Sequence, residues 1–264
     1  FMPEGHTVHR TARQFTKLFV GTSVEVSTPQ GRFTDAALIT GQKMVKAEAW
    51  GKQMVLHFES AAIRIHLGIY GKWNFKNFDQ NPPEPVGQVR ARFLNDGHVV
   101  DLRGPTACEL VDFSELGKLF ERLGPDPLRP DPNGEGKTRF VEKVNSSKVA
   151  IGQLLMDQSV LAGVGNVYRA ELLFRANMSP FTPGNQVPAE LVANIWDDAV
   201  ALMPLGVKTG LMLTRDGFLK GRPKKDDRYS VYKREGLPCR VCAEKVSIGL
   251  MQARKLYWCS SCQL

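Results

Sequence analysis

Four of the five cysteines fall in two close pairs, Cys239 with Cys242 and Cys259 with Cys262, in the order C-x2-C-x16-C-x2-C. Two short turns that each present two thiolates suit one tetrahedral zinc ion, and the intervening residues can form a hairpin that carries the second turn back to the first. Two disulfides are the competing arrangement, although nothing else in the chain points to an oxidising compartment. Cys108 stands alone between Ala107 and Glu109 and reads as a buried structural thiol.

The formal net charge is +8, and residues 206–264 carry 13 basic and 5 acidic side chains, which accounts for the whole excess. A surplus confined to one region points to a polyanion, because neutralising phosphates releases counterions and supplies most non-specific nucleic-acid affinity. A well-solvated face is the alternative. With 42% hydrophobic and 23% charged residues, the chain is neither a disordered polymer nor a membrane protein. It has no run of about 20 apolar residues and no basic-then-apolar leader, so a cytoplasmic, nucleoid-associated protein without membrane contact is expected.

The elements that must position these groups are legible from periodicity. Residues 7–19 read as an amphipathic helix, with Val8, Ala12, Phe15 and Phe19 on one face. From Val24 to Arg103 the period becomes two: Met54, Leu56, Phe58; Ile63, Ile65, Leu67; Val89, Ala91, Phe93. Asp96-Gly97 reads as a hairpin turn, and Gly51-Lys52 is a second candidate. Together these describe an antiparallel sandwich or barrel. Four prolines and three glycines within Gly124–Gly136 mark a linker. Beyond it the pattern is helical: Ile151, Leu154, Leu155; Val167, Ala170, Leu173, Phe174; Leu191, Ile195, Ala199, Leu202. Gly163-Val164-Gly165-Asn166 interrupts it with a tight turn, either a simple helix connection or a set of backbone amides open to phosphate. Residues 215–234, rich in Arg, Lys and Asp, are expected to form a mobile loop.

Taken in order, Pro3-Glu4-Gly5, the Gly51-Lys52 turn, Leu154-Leu155-Met156-Asp157-Gln158, Gly163-Val164-Gly165-Asn166-Val167-Tyr168, Cys239-Arg240-Val241-Cys242 and Tyr257-Trp258-Cys259-Ser260-Ser261-Cys262 span nearly the whole chain. In this order the chain resembles the Fpg/Nei family of DNA glycosylase/AP lyases. The resemblance implies an α+β protein: an N-terminal antiparallel β-sandwich with an N-terminal helix (3–123), a linker (124–137), a helix-two-turn-helix domain with a basic loop (138–235) and a four-cysteine zinc finger (236–264). It also implies damaged DNA, double- or single-stranded, as the partner, gripped between the two domains by a monomer, with one structural zinc.

The family's nucleophile is an N-terminal proline whose amine attacks the sugar C1′, and Pro3 matches it. An α-amino group titrates near ~8, so part of it is a neutral nucleophile at cellular pH, and a position at a helix start favours the neutral form further. Proline is also an ordinary helix-start residue. Phe1 and Met2 precede Pro3, and a proline nitrogen inside a peptide bond is an amide without a basic lone pair. Phe1 is therefore read as an expression remnant and Met2 as an initiator that is otherwise removed, so the chain that starts at Phe1 is expected to be blocked. A relative that has lost lyase chemistry is the alternative.

Glu4 matches the family's catalytic glutamate, which assists opening of the sugar ring and moves protons during elimination; a first-turn carboxylate favoured by its own helix dipole is the plainer reading. Lys52 matches the hairpin lysine near the lesion, and would otherwise be a solvated lysine. Asn166 and Arg254 match the residues that grip phosphate. His66 is placed near phosphate or in a core hydrogen bond. Ile69 and Tyr70 match the wedge and ring that fill the gap left by an extruded base, or pack in the core. His6-Thr7 stands where many Nei-type members carry Pro-Glu, so a second glutamate is absent. The opening favours oxidised pyrimidines as lesions, with β,δ-elimination, over the oxidised purines of Fpg. A non-catalytic DNA-binding protein and a metal-dependent nuclease are readings from other classes, the latter without a convincing carboxylate cluster.

Overall fold

The computed structural model describes residues 3–264, so the expectations placed on Phe1 and Met2 lie outside the described residues. The chain divides into two compact units: Pro3 with Val8–Glu121, and Glu4–Thr7 with Arg122–Leu264.

In the first unit, helix α1 (Gly5–Leu18) precedes strand β1 (Glu25–Ser27), the short helix α2 (Ala36–Ile39), and strands β2 (Met44–Trp50), β3 (Gln53–Phe58), β4 (Ala62–His66), β5 (Lys72–Asn77), β6 (Val89–Asn95), β7 (His98–Arg103) and β8 (Ala107–Val111). They form two four-stranded antiparallel sheets, ordered β1-β6-β7-β5 and β2-β3-β4-β8. The alternation is the expected one. Ala91 and Phe93, with Met54, Leu56, Phe58, Ile63 and Ile65, enter one core with Val8, Ala12 and Phe15 of the helix and Phe19 just beyond it, and Val89 is also buried. At about 25 cal/mol per Å² of apolar surface, each such side chain contributes about 1.5–3 kcal/mol. Both two-residue turns form: Trp50 pairs with Gln53 around Gly51-Lys52, and Asn95 pairs with His98 around Asp96-Gly97.

Helix α3 (Phe113–Arg122) closes this unit and was not evident from the apolar spacing. Leu116, Leu119 and Phe120 cover Val55 and Ala62, so β3 is buried on both faces. Its start is a reciprocal capping box in which the Asp112 carboxylate accepts from the Glu115 amide (2.7 Å) and the Glu115 carboxylate from the Asp112 amide (2.8 Å).

The second unit contains α4 (Glu135–Asn145), α5 (Ile151–Leu154), α6 (Asn166–Arg175), α7 (Ala189–Thr209) and a two-stranded hairpin, β9 (Ser247–Met251) with β10 (Arg254–Trp258). The Pro/Gly-rich stretch packs into this unit: Leu123, Pro125 and Asp126 are buried, the Gly124 amide donates to the Gln158 carbonyl, and the Ala162 amide donates to that of Pro125. Helix α6 is buried over Asn166–Phe174, with Arg169 and Glu171 included. No helix among the described residues is long and apolar enough to cross a membrane.

Candidate active site and nucleic-acid interface

Glu4 directly precedes α1 in sequence, yet its carboxylate serves a different helix. One oxygen accepts from the amide of Gly165 (2.7 Å) and, at longer range, from Tyr168 (3.4 Å); the other accepts from Val167 (2.8 Å). Glu4 is completely buried. These donors are the unsatisfied N–H groups at the start of α6, where an anion is favoured by both hydrogen bonding and the helix dipole. The turn that sequence analysis offered as a possible phosphate cradle is therefore already filled by the chain's own carboxylate, and the plainer reading of Glu4 as an α1 first-turn residue is corrected.

This seat explains why two glycine motifs occur together. The Gly5 amide donates to the Gly163 carbonyl at 2.8 Å, and a Cβ on Gly5 would lie 2.8 Å from the Gly163 Cα. A Cβ on Gly165 would stand 2.5 Å from the Glu4 carboxyl carbon. A side chain at Gly165 would displace the carboxylate, and one at Gly5 would push away the Gly163 backbone.

His6, in place of the proline of many Nei-type members, is buried edge-on to the Tyr168 ring with centroids 5.5 Å apart. Burial, then the Glu4 charge, pushes the Tyr168 phenol well above its ordinary range, so it stays neutral.

Asn166 opens α6, and its side-chain oxygen accepts from Arg169, three residues on and one turn away. The oxygen is thus committed, and the Nδ2 amide is the donor end. Arg169 also donates to the Gly152 carbonyl (3.3 Å) and to the Lys255 carbonyl (3.1 Å), tying α6 to strand β10 beside Arg254. Burial, reinforced by the charge of Arg254, brings the Arg169 guanidinium down to about 10, against the opposing influence of Glu4. Arg254 itself follows a hairpin tip whose residues, Gln252 and Ala253, both hold positive φ (47° and 59°). Asn166 and the strand that begins with Arg254 are thus joined through Arg169, which none of the sequence motifs singled out. An arginine and a glutamate within an otherwise apolar helix were the available signal, since a helix apolar all round is buried and must pair its charges.

The four cysteine sulfurs all lie within 4.8 Å of one another, with Cys239 to Cys262 at 3.9 Å and Cys242 to Cys259 at 3.4 Å. A tetrahedral ion with bonds of about 2.3 Å places its sulfurs about 3.8 Å apart, so the donor set fits. Gln263, also buried, accepts from the Cys259 amide (2.8 Å) and donates to the Met178 carbonyl (3.0 Å), which anchors the second cysteine turn to the segment after α6.

In the first unit, Pro3 is half-buried and Lys52 occupies the second position of the β2–β3 turn. His66 ends β4, opposite Gln53, and its Nδ1 lies 3.2 Å from the Lys52 carbonyl. A carbonyl only accepts, so Nδ1 carries the proton and donates. Burial, with the Arg64 and Lys52 charges, holds His66 below its ordinary 6.5, against the opposing effect of that hydrogen bond. Ile69 and Tyr70 are 55% and 79% exposed in the turn after β4, so the core-packing alternative for Tyr70 is overturned. Cys108 is buried, and desolvation raises its thiol to about 12, which leaves it inert.

The loop expected to be mobile over 215–234 is pinned at its C-terminal end. Ser230 and Val231 are buried, and Glu171 accepts from the amides of Ser230, Val231 and Tyr232 at 2.8–2.9 Å.

Two family signatures match the chain: the N-terminal domain of formamidopyrimidine-DNA glycosylase over residues 2–108, and the H2TH domain of the same enzymes over residues 123–216. The chain is 42% identical to "Endonuclease 8 1" of Mycobacterium tuberculosis, over 99% of this chain and 100% of that protein. It belongs to the Fpg/Nei family of DNA glycosylases of base excision repair. Other members include the formamidopyrimidine-DNA glycosylase of Aromatoleum aromaticum, 31% identical over 99% of both chains. The crystal structure of MutM (Fpg) from Thermus thermophilus superposes with a TM-score of 0.78 at 28% identity, covering 99% of this chain and 98% of that one. The fold is also that of Lactococcus lactis Fpg in its complex with DNA containing an abasic site (TM-score 0.78, 21% identity). Within the Fpg/Nei frame, the second signature ends just after α7, and both the cysteine hairpin and the greater part of the basic loop lie beyond it.

Proposed function

We propose that this chain is a bifunctional DNA glycosylase and AP lyase that removes oxidised pyrimidines and then cleaves the strand by β,δ-elimination. The observation that carries the reading is the buried Glu4 carboxylate, seated on the α6 amides and covalently next to Pro3. With a free Pro3 amine, nitrogen attacks C1′ as the bond to the damaged base breaks. The departing base takes a proton from solvent, and the Glu4 carboxylate accepts the proton that the attacking nitrogen releases and passes it to the ring oxygen, which opens the deoxyribose and leaves an iminium on Pro3. Loss of the C2′ proton then expels the 3′ phosphate, loss of the C4′ proton expels the 5′ phosphate, and a gap with phosphates on both sides remains. Lys52, oriented through the His66 contact to its carbonyl, supports the lesion phosphate, while Asn166 and Arg254 grip the backbone and Ile69 and Tyr70 fill the vacated stack.

The four thiolates would hold one zinc with no open coordination position, so the ion supports the β9–β10 hairpin and takes no part in the chemistry. Endonuclease 8 relatives at 42% identity support the pyrimidine preference, and the formamidopyrimidine-DNA glycosylases at 31% and 28% support oxidised purines as the second reading.

Borohydride trapping on abasic-site DNA tests the mechanism, with a chain that begins at Pro3 compared against one that begins at Phe1. A covalent adduct only with the free proline is expected. Adducts with both chains would move the nucleophile to a lysine, with Lys52 first in line, and adducts with neither would make this a damaged-DNA-binding relative without lyase chemistry.

A further inference from the structure

The loop between α7 and the cysteine hairpin has a braced stem and a cationic tip. Glu171, fully buried on α6, accepts from the Thr214 hydroxyl (3.0 Å) on the incoming arm and from three amides, Ser230 to Tyr232, on the outgoing arm. Farther out, the Arg215 guanidinium stacks 4.2 Å over the Phe218 ring and donates to the Asp227 carbonyl (3.2 Å). Arg228 donates to the Pro223 carbonyl (3.1 Å), and Arg240 to the carbonyls of Tyr229 (3.1 Å) and Asp226. Arg215, Arg228 and Arg240 are therefore committed to bracing loop carbonyls, as is Arg234, which donates to the carbonyls of Ser230 and Pro238. Four further cations cluster at the tip.

That tip reads Lys220-Gly221-Arg222-Pro223-Lys224-Lys225, four cations in six residues with no acid among them, and all four are exposed. Asp226 and Asp227 follow, and Asp227 is turned back toward Arg215 at 3.7 Å. The flanks of Arg222 distinguish this run from a generic basic patch. Gly221 has no side chain and holds φ +70°, a bend that favours glycine. Pro223 adds a compact ring without an N–H to desolvate, and Lys224 continues in extended backbone (φ −57°, ψ 152°). A minor groove about 6 Å wide admits one long side chain on a slim backbone and excludes bulky neighbours. A·T-rich tracts narrow the groove further and deepen its negative potential, which draws in arginine.

We propose that the 220–225 tip is a minor-groove reader: Arg222 enters the minor groove of A·T-rich duplex, while Lys220, Lys224 and Lys225 engage the bordering phosphates. The inference rests on the reading of this chain as a DNA-binding repair enzyme and adds a sequence preference that the reaction itself does not require. The tip lies beyond the matched H2TH region, which ends at residue 216.

The test uses the full chain and two duplexes that carry the same tetrahydrofuran abasic analogue, flanked by A·T tracts in one and by G·C tracts in the other, with affinity read by fluorescence anisotropy. The expected result is binding about tenfold tighter to the A·T-flanked duplex, the scale of one good groove contact. Arg222→Ala should abolish that preference and leave the G·C-flanked affinity within about twofold. Lys220→Ala, Lys224→Ala and Lys225→Ala should weaken both duplexes alike, each lowering the slope of log K on log salt by about one. Equal wild-type affinity for the two duplexes, or equal weakening of both by Arg222→Ala, would overturn the proposal and reduce the tip to a phosphate contact. A wild-type chain that binds neither duplex would instead bring down the DNA-repair reading itself. All four side chains are exposed, so unchanged thermal unfolding of the variants verifies that the fold is intact.

Discussion

Glu4→Gln keeps the shape of the side chain and changes what it can accept. The wild-type carboxylate offers one oxygen to Val167 and the other to Gly165 and Tyr168. A glutamine has only one oxygen, so whichever way it is turned its NH2 faces an amide N–H in a fully buried site. If the oxygen serves Gly165 and Tyr168, the Val167 amide is left facing a donor. The loss is one hydrogen bond to a charged group, about 1.5–3 kcal/mol, together with the attraction of a negative charge for the start of α6, about 0.3–1 kcal/mol. A local destabilisation of about 2–4 kcal/mol follows, equivalent to about a 30- to 700-fold loss of protection for amides that exchange through opening of this seat. Native-state hydrogen exchange at Gly165, Val167 and Tyr168 reads this directly and needs no substrate. Glu4→Asp keeps the charge but is one methylene shorter, and should lose protection at the same amides while the far end of α6, near Phe174, is less affected. If Val167 exchanges at the wild-type rate in Glu4→Gln, Glu4 does not hold the helix start, whatever happens to catalysis.

Glu171→Gln should loosen both arms of the basic loop, because a neutral amide cannot accept from Thr214, Ser230, Val231 and Tyr232 together; limited proteolysis should cut at 215–229 at least tenfold faster, and an unchanged rate would refute the clamp. His66 is held below 6.5 in the folded protein, so the unfolded chain binds more protons than the folded one between the lowered value and 6.5. Stability contributed by neutral His66 is therefore complete above pH 6.5 and declines as pH falls through that window. Urea midpoints measured from pH 7.5 to 5 should show a component that disappears in His66→Gln, and an identical pH profile for the two proteins would contradict the assignment. Chelator treatment should release zinc, unfold β9–β10 and sharply weaken DNA binding through loss of the Arg254 position, while exchange protection of Phe93 and Leu102 in the β-sandwich is unchanged; full affinity in the metal-free protein would rule this out.

Much of the site was readable because its signals are local. The four-cysteine spacing, the period-two runs and the Gly51-Lys52 turn depend on residues within a few positions of one another, and the structure places all of them as their spacing requires. Helix α3 was legible in principle through its Asp112 and Glu115 capping box, but the three apolar residues that face the sheet, Leu116, Leu119 and Phe120, form too short a stripe to stand out against the strands before it. The C-terminal end of the 215–234 loop was misread because composition counts charges without showing their partners: Arg215, Arg228 and Arg240 are directed at carbonyls within and beside the loop, and Glu171, which pins Ser230 to Tyr232, lies some sixty residues earlier in the chain.

By itself, the sequence determined the family, through the order of its motifs, and confined the basic excess to the last 59 positions. It also determined the sandwich and the cysteine hairpin, because apolar periodicity and turn residues act over a few ångströms of chain. Only the tertiary structure decided what each charge does. The Glu4 carboxylate sits on amides more than 160 residues away, which turns an apparently open helix start into an occupied one. Arg169 joins Asn166 to the strand that carries Arg254. These partnerships depend on burial, where an unpaired charge or amide costs several kcal/mol and must find whatever partner the fold brings near, and no pattern within either segment specifies that partner.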